Sequence, residues 1–216
     1  ALIRLGMEVT TIDTTLYSKC FIFLYKAFRR LNLYVDLAFA NQDLLKKINK
    51  STDIVWIDKG LTIHKSTIKN IHSAFPAIII VSYSPDDMIN PDNQSSQYLG
   101  SIPLYDFHIT TKSYNVREMR AIGAKQVIFV NNAFDPIEHT PSDCNYKYDV
   151  GFVGTYENDR AEVIYEMAGS GYNISVWGNW PLKWSNKLKS VGVCVHVGEV
   201  AGNHYSVAIS KCKINL

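Results

Sequence analysis

Hydrophobic positions along this chain follow two alternating rhythms. Short, nearly unbroken apolar runs, "DIVWID" (53–58), "AIIIVSY" (77–83), "QVIFV" (126–130) and "DVGFVG" (149–154), are separated by stretches in which apolar residues recur every three or four positions. Runs of the first kind predict strands covered on both faces, and the stretches between them predict amphipathic helices. "EVTTID" (8–13) predicts a strand, followed by a helical stripe of Leu16, Cys20, Leu24, Phe28 and Leu31. Asn41 caps a helix carrying Leu44, Leu45 and Ile48; Ile68, Ile71 and Phe75 mark the next helix. "DFHIT" (106–110) is a strand, and Val116, Met119 and Ile122 form a helix closed by Gly123.

Between Asn131 and Lys147 the rhythm lapses into "NNAFDPIEHTPSDCNYK", whose prolines, asparagines and aspartates compose an interdomain linker. The alternation then resumes. After "DVGFVG", Asp159 and Glu162 read as a capping box, Val163, Ile164, Met167 and Ala168 as the buried face of a helix, and Gly169 and Gly171 as its end. "NISVWG", "VCVHVG" and "CKINL" are further strands, with a helix from about His204 to Ser210 before the last. Strand and helix alternating at this spacing predict an α/β protein with two doubly wound, parallel-sheet units, covering 1–140 and 147–216.

Composition narrows the classes of partner. The 22 basic and 20 acidic residues are interspersed, so no block of like charge marks a nucleic-acid arm or a membrane-binding stretch. The longest greasy runs, "CFIFLY" and "AIIIV", fall well short of the roughly 20 residues that span a bilayer. The chain therefore reads as soluble and cytoplasmic, without a transmembrane segment and without a nucleic-acid partner. Cys20, Cys144, Cys194 and Cys212 lie far apart with no Cys-x-x-Cys pair, which argues against a zinc ribbon and for reduced thiols in apolar surroundings. "ALIRLG" reads as the last turn of a helix and "CKINL" as a strand met before any turn signal, so the sequence is expected to be a fragment.

Ligands of an open parallel sheet bind outside the carboxyl ends of its strands. That rule selects Asp13, Lys59, Gly60, the segment from Ser84 to Asp87, Thr111, Lys112, Asn131 and Asn132 in the first unit. In the second it selects Gly154 to Tyr156, Gly178 to Trp180, Gly198 and Glu199. "GFVGTYENDR" places a glycine between a strand and a helix start, where free backbone N–H groups suit an anion and Arg160 is close enough to add a charge-assisted contact. An ordinary strand-to-helix turn with a solvated arginine has the same spacing. Asp86 and Asp87 read as general bases, metal ligands or loop residues; no phosphate cradle lies near them in sequence, which disfavours a metal. Adjacent residues of an extended segment point to opposite sides, so one of the pair, Asp87, is expected to serve chemistry and Asp86 the loop. His108 reads as a packed strand residue, whereas His139 and His204 stand where a ligand could touch them. Trp177, Trp180 and Trp184 suit either stacking on a sugar or base or a hydrophobic lid over the sheet.

Four segments, "YSPDDM", "TTKSYNVREMRAIGAKQVIFVNNAFDPIEHTP", "YDVGFVGTYENDR" and "YSVAISKCKINL", resemble the CgeB-like (spore maturation protein type) glycosyltransferases of the two-domain GT-B group. The resemblance extends over most of the chain after Asp53, and is matched only in pattern before it. It implies two Rossmann-like domains facing each other across a cleft, the N-terminal one for the acceptor and the C-terminal one for a nucleotide-sugar donor. It implies transfer of a sugar to an acceptor hydroxyl with no metal and no cofactor beyond the donor itself. Gly154, Thr155 and Arg160 would border the donor phosphates, and Asp87 or Asp86 would act near the transferred sugar. Lys59, Gly60, Thr111, Lys112, Asn132, Gly178 and His204 are further cleft candidates. A polysaccharide, glycopeptide or spore-surface acceptor fits this picture. The family's first acceptor-domain strand and its acidic "E-x-x-A-x-G" donor segment have no counterpart here, so the resemblance implies a partial chain, inactive alone. Two other functions fit the same pattern: a non-catalytic GT-B-like ligand-binding or assembly protein, and a GT-B nucleotide-sugar epimerase.

Overall fold

The computed structural model describes residues 2–14, 28 and 33–216. Two compact units divide at Asn132/Ala133. Each contains a four-stranded, wholly parallel sheet, which is the α/β class the pattern predicts. The expected helix through Leu16, Cys20, Leu24 and Leu31 lies outside the described residues.

In the first unit, β1 (Ile54–Asp58), β2 (Ile79–Ser84), β3 (Phe107–Thr110) and β4 (Val127–Phe129) lie side by side in chain order. The helices between and before them are α1 (Ala40–Lys47), α2 (Lys65–Ala74), α3 (Ser96–Ser101) and α4 (Asn115–Ala121). Right-handed crossovers that all step the same way put their helices on one face of a sheet. Burial follows that rule: Val55, Ile57 and Ile80 form one core with Leu44, Ile68 and Ile71, while Ile54, Trp56 and Ile79 on the opposite pleat are exposed. "DIVWID" is thus buried on alternate residues, not on both faces as the apolar run suggests. Below β3 and β4 a second cluster joins Met88, Tyr98, Ile102, Met119 and Val127. "EVTTID" forms no strand; among the described residues β1 pairs with β2 alone, residues 8–11 and 13 are exposed, and Ile12 is half-buried against the core.

The second sheet contains β5 (Tyr148–Val153), β6 (Ile174–Gly178), β7 (Cys194–Val197) and β8 (Cys212–Asn215), in the order β7-β6-β5-β8. Its helices are α5 (Asn158–Gly169), α6 (Leu182–Ser190) and α7 (Asn203–Ser210). From β5 the chain steps outward through β6 to β7 and then returns to the far side of β5, so the direction of winding reverses there. Cores on both faces result. Val150, Phe152, Ile174 and Val176 pack with Ala161, Ile164 and Leu188 from α5 and α6, while Tyr148, Trp177 and Cys212 pack with Ala208 of α7.

Three local readings change in this unit. The capping box does not form: α5 starts two residues earlier, Glu157 stands at its N-cap without a side-chain capping bond, and Asn158 Nδ2 donates to Glu162 Oε1 at 2.8 Å. With that start the inward stripe runs through Ala161 and Ile164, and Val163 is 51% exposed. Residues 133–147 belong to the second unit and are not a free tether: Ser206 Oγ donates to the Glu138 carbonyl at 2.7 Å, and Ser142 N donates to Ser210 Oγ at 2.9 Å. No helix among the described residues is long and apolar enough to cross a membrane.

Glycine is required where β5 and β6 end. Gly178 has φ of 144°, and a Cβ there would fall inside the van der Waals radius of the Gly154 carbonyl oxygen. Gly178→Ala is expected to lower stability by about 2–3 kcal/mol in urea unfolding. Gly169→Ala, at a helical position with open space around it, is expected to leave stability unchanged or to raise it by up to about 1 kcal/mol.

Candidate functional site

Both units gather polar side chains at the carboxyl ends of their strands. In the first, β1 runs out into Lys59 and Gly60, with φ of 57° and 67°. A left-handed conformation costs a residue with a Cβ about 1 kcal/mol or more, so Lys59 stores backbone strain. It is held by its N–H, which donates to the Tyr83 carbonyl at 2.8 Å, and by Gly60, where a Cβ would come within 3.0 Å of the Tyr105 hydroxyl. The turn aims the Lys59 ammonium at Asp86, and the two form an ion pair with both side chains well exposed to solvent. Ser84 Oγ accepts the Asp86 N–H at 3.1 Å, which fixes the start of the loop.

Asp87 is the carboxylate that serves the loop. Its Oδ1 accepts from Ile89 N at 3.0 Å, Asn90 N at 3.2 Å and Asn115 Nδ2 at 2.8 Å. Partial burial disfavours its charge, but these donors and the nearby Lys112 ammonium outweigh that effect and hold its carboxyl below the ordinary value. Asn115, fully buried at the start of α4, also accepts from Met88 N at 3.2 Å and donates to Glu118 Oε2 at 2.9 Å. It joins two loops distant in sequence, and "SYNVRE" carries no signal of that role. Thr111 Oγ1 donates to the Pro85 carbonyl at 2.8 Å, and Lys112 N to Thr110 Oγ1 at 3.1 Å. Lys59, Gly60, Asp86, Asp87, Thr111 and Lys112 therefore form one cluster. Asn132 is an exposed residue beyond the end of β4.

In the second unit the ends of β5, β6 and β7 are laced together. Gly154 N donates to the Trp177 carbonyl at 2.9 Å, and Gly198 N to that of Gly178 at 3.2 Å. Gly154, Thr155, Gly178 and Arg160 come together at this edge. The Arg160 guanidinium lies 4.6 Å over the Phe152 ring, donates to the Thr155 carbonyl at 3.1 Å and pairs with Glu157 at 3.2 Å. That arrangement partly neutralises its charge within the turn. Trp180 is 5% exposed and packs edge-on against Phe152 and Tyr156; its buried indole N–H has no hydrogen-bond partner among the described residues. His204 stands apart from this turn. It lies in the first turn of α7 and lines a cavity of about 310 Å³ with Trp177, Glu199 and Lys211. Among the described residues, no group of three or more His, Cys, Asp or Glu side chains converges as a metal-ligand set.

No family model matches the sequence, and no curated protein matches it. Among solved structures the chain is similar to an alpha-glucosyltransferase in complex with UDP-glucose and DNA containing an abasic site. The two share 13% identity with a TM-score of 0.49, over 81% of this chain and 55% of that one. This chain thus spans about half the length of the glucosyltransferase it matches.

The Asp87 network has a signed pH dependence. A carboxyl held low in the folded state adds stability that is complete above the ordinary value of 3.8 and is lost as pH falls through the lower, folded-state value. Asp87→Ala is expected to cost about 1–2 kcal/mol at pH 7. Urea midpoints for the variant and the natural chain should converge as pH drops below 3.8. A constant difference at every pH would show that the carboxylate charge is not what the loop uses.

Proposed function

We propose that the chain is a nucleotide-sugar-dependent glycosyltransferase of the CgeB-like, GT-B type, acting on an acceptor hydroxyl without a metal. The observation that carries this reading is the reversal of winding at β5, which lies beside the glycine turn of Gly154 and the start of α5. Open α/β sheets bind nucleotides at such a switch point, where the strand ends diverge. The uncapped start of α5 offers backbone N–H groups to a diphosphate; Glu157 and Asp159 oppose that anion, so Arg160 must exchange Glu157 for phosphate on binding.

In this reading the second unit binds the donor, and the resemblance assigns the base to the first. Asp86 is the better base of the pair, because Asp87 is committed to loop amides while the Asp86 carboxylate meets Lys59 alone among the described residues. In an inverting transfer its carboxylate takes the acceptor hydroxyl proton as the new glycosidic bond forms. The anomeric C–O bond to phosphate breaks, and the nucleoside diphosphate leaves with the electron pair toward the α5 N-terminus.

Calorimetric titration of the full protein with nucleoside diphosphates tests the donor site. One of them should bind, and Arg160→Ala should weaken it about tenfold; binding to none would sink the assignment. Asp86→Asn should lower donor-sugar hydrolysis at least about 100-fold, with Asp87→Asn affecting stability more than rate. Lys59→Gly should keep or raise stability by about 1 kcal/mol through relief of the left-handed strain, while reducing hydrolysis.

A further inference from the structure

Cys194 and His196 lie two residues apart on β7, the edge strand of the second sheet, so their side chains share one face. Cys194 Sγ is 3.3 Å from His196 Nε2. On its other side the sulfur accepts a hydrogen bond from the Tyr148 hydroxyl at 3.6 Å. The imidazole is held in place by face-to-face stacking on Trp177, with centroids 4.9 Å apart and planes 6° from parallel. Desolvation, and then the charges of Lys147 and Lys211, lower the His196 pKa, so the ring is neutral at physiological pH with a lone pair to offer. Cys194 is half-buried and His196 exposed, so small reagents reach the pair. The other described cysteines differ: Cys212 is buried with its thiol directed at the Ala208 carbonyl, and among the described residues no imidazole is bonded to it or to Cys144.

We propose that Cys194 and His196 form a reactive thiol–imidazole pair, a modification site in the second unit whose substrate class is hydroperoxides. His196 Nε2 takes the thiol proton, and a sulfur electron pair attacks the terminal oxygen of the hydroperoxide. The S–O bond forms as the O–O bond breaks. The departing alkoxide or hydroxide recovers the proton from His196, giving an alcohol or water and leaving Cys194 as the sulfenic acid. Sulfur is oxidised by two electrons and the peroxide reduced by two. Lys147 and Lys211 supply positive charge as the oxyanion departs, and the Tyr148 hydroxyl stays bonded to the oxidised group. This inference does not depend on the glycosyltransferase reading.

The test is site-resolved mass spectrometry of the full, reduced protein treated with hydrogen peroxide and a sulfenic-acid trap. Cys194 should be trapped about tenfold faster than Cys144, the half-buried thiol in the same molecule. His196→Ala should slow Cys194 about tenfold and leave Cys144 unchanged, the latter serving as the check that the variant is folded. Tyr148→Phe should slow Cys194 about two- to threefold. A Cys194 rate within about twofold of Cys144, or one insensitive to His196→Ala, overturns the proposal.

Discussion

Parallel strands can be joined only by crossovers, and the direction in which successive crossovers step governs most of what this molecule does with its residues. In the first sheet the steps never reverse, so the helices share one face and β1 is buried on every second residue. In the second they reverse at β5, and the sheet acquires a core on each side. The same reversal parts the strand ends beside Gly154. A single topological choice thus sets the burial pattern and, in the function proposed above, the place where a nucleotide would bind.

Strand ends carry opposing demands. They must stop a ladder of backbone hydrogen bonds cleanly, yet they also hold the side chains placed to do chemistry. Glycine meets the first demand at Gly154, Gly178 and Gly198, where the ends of three strands are tied by backbone bonds. At Lys59 the chain instead keeps a long cationic side chain in a conformation that favours glycine, and spends stability to aim it at Asp86. Around that pair, Asp87 and Asn115 form a scaffold of amide contacts that leaves Asp86 the less encumbered carboxylate.

The alternation of strands and helices was legible because apolar periodicity reports directly on burial, and all eight of the strand segments expected from "DIVWID" onward appear, as β1 to β8. "EVTTID" misled because β-branched residues favour extended backbone with or without a partner, and the sequence does not say that, among the described residues, β1 pairs on one side alone. α6 went unseen: Pro181 precedes it, but Ser185 and Leu188 are too sparse a buried stripe to stand out beside three tryptophans. The glycine turn and the Asp86–Asp87 loop could be placed from the rule about carboxyl ends. The division of labour between the two aspartates could not, since it depends on Asn115, 28 residues away in sequence from Asp87. For the same reason, periodicity marked Cys194 as one more apolar position, and Tyr148 is brought to its sulfur only by the pairing of strands.

Because β8 pairs with β5, the second sheet is closed by a segment made long after the strand it completes; Lys213 reaches back 64 positions to Asp149. During synthesis β5, β6 and β7 can assemble in order, each next to its predecessor, but the flank of β5 stays open until the ribosome has released Cys212–Asn215. Gly151, whose missing side chain leaves room for the Cys212 sulfur, keeps that flank ready for a late arrival. The nascent second unit therefore passes through a stage in which one side of its central strand is unpaired, an open edge of the kind that invites pairing with another chain.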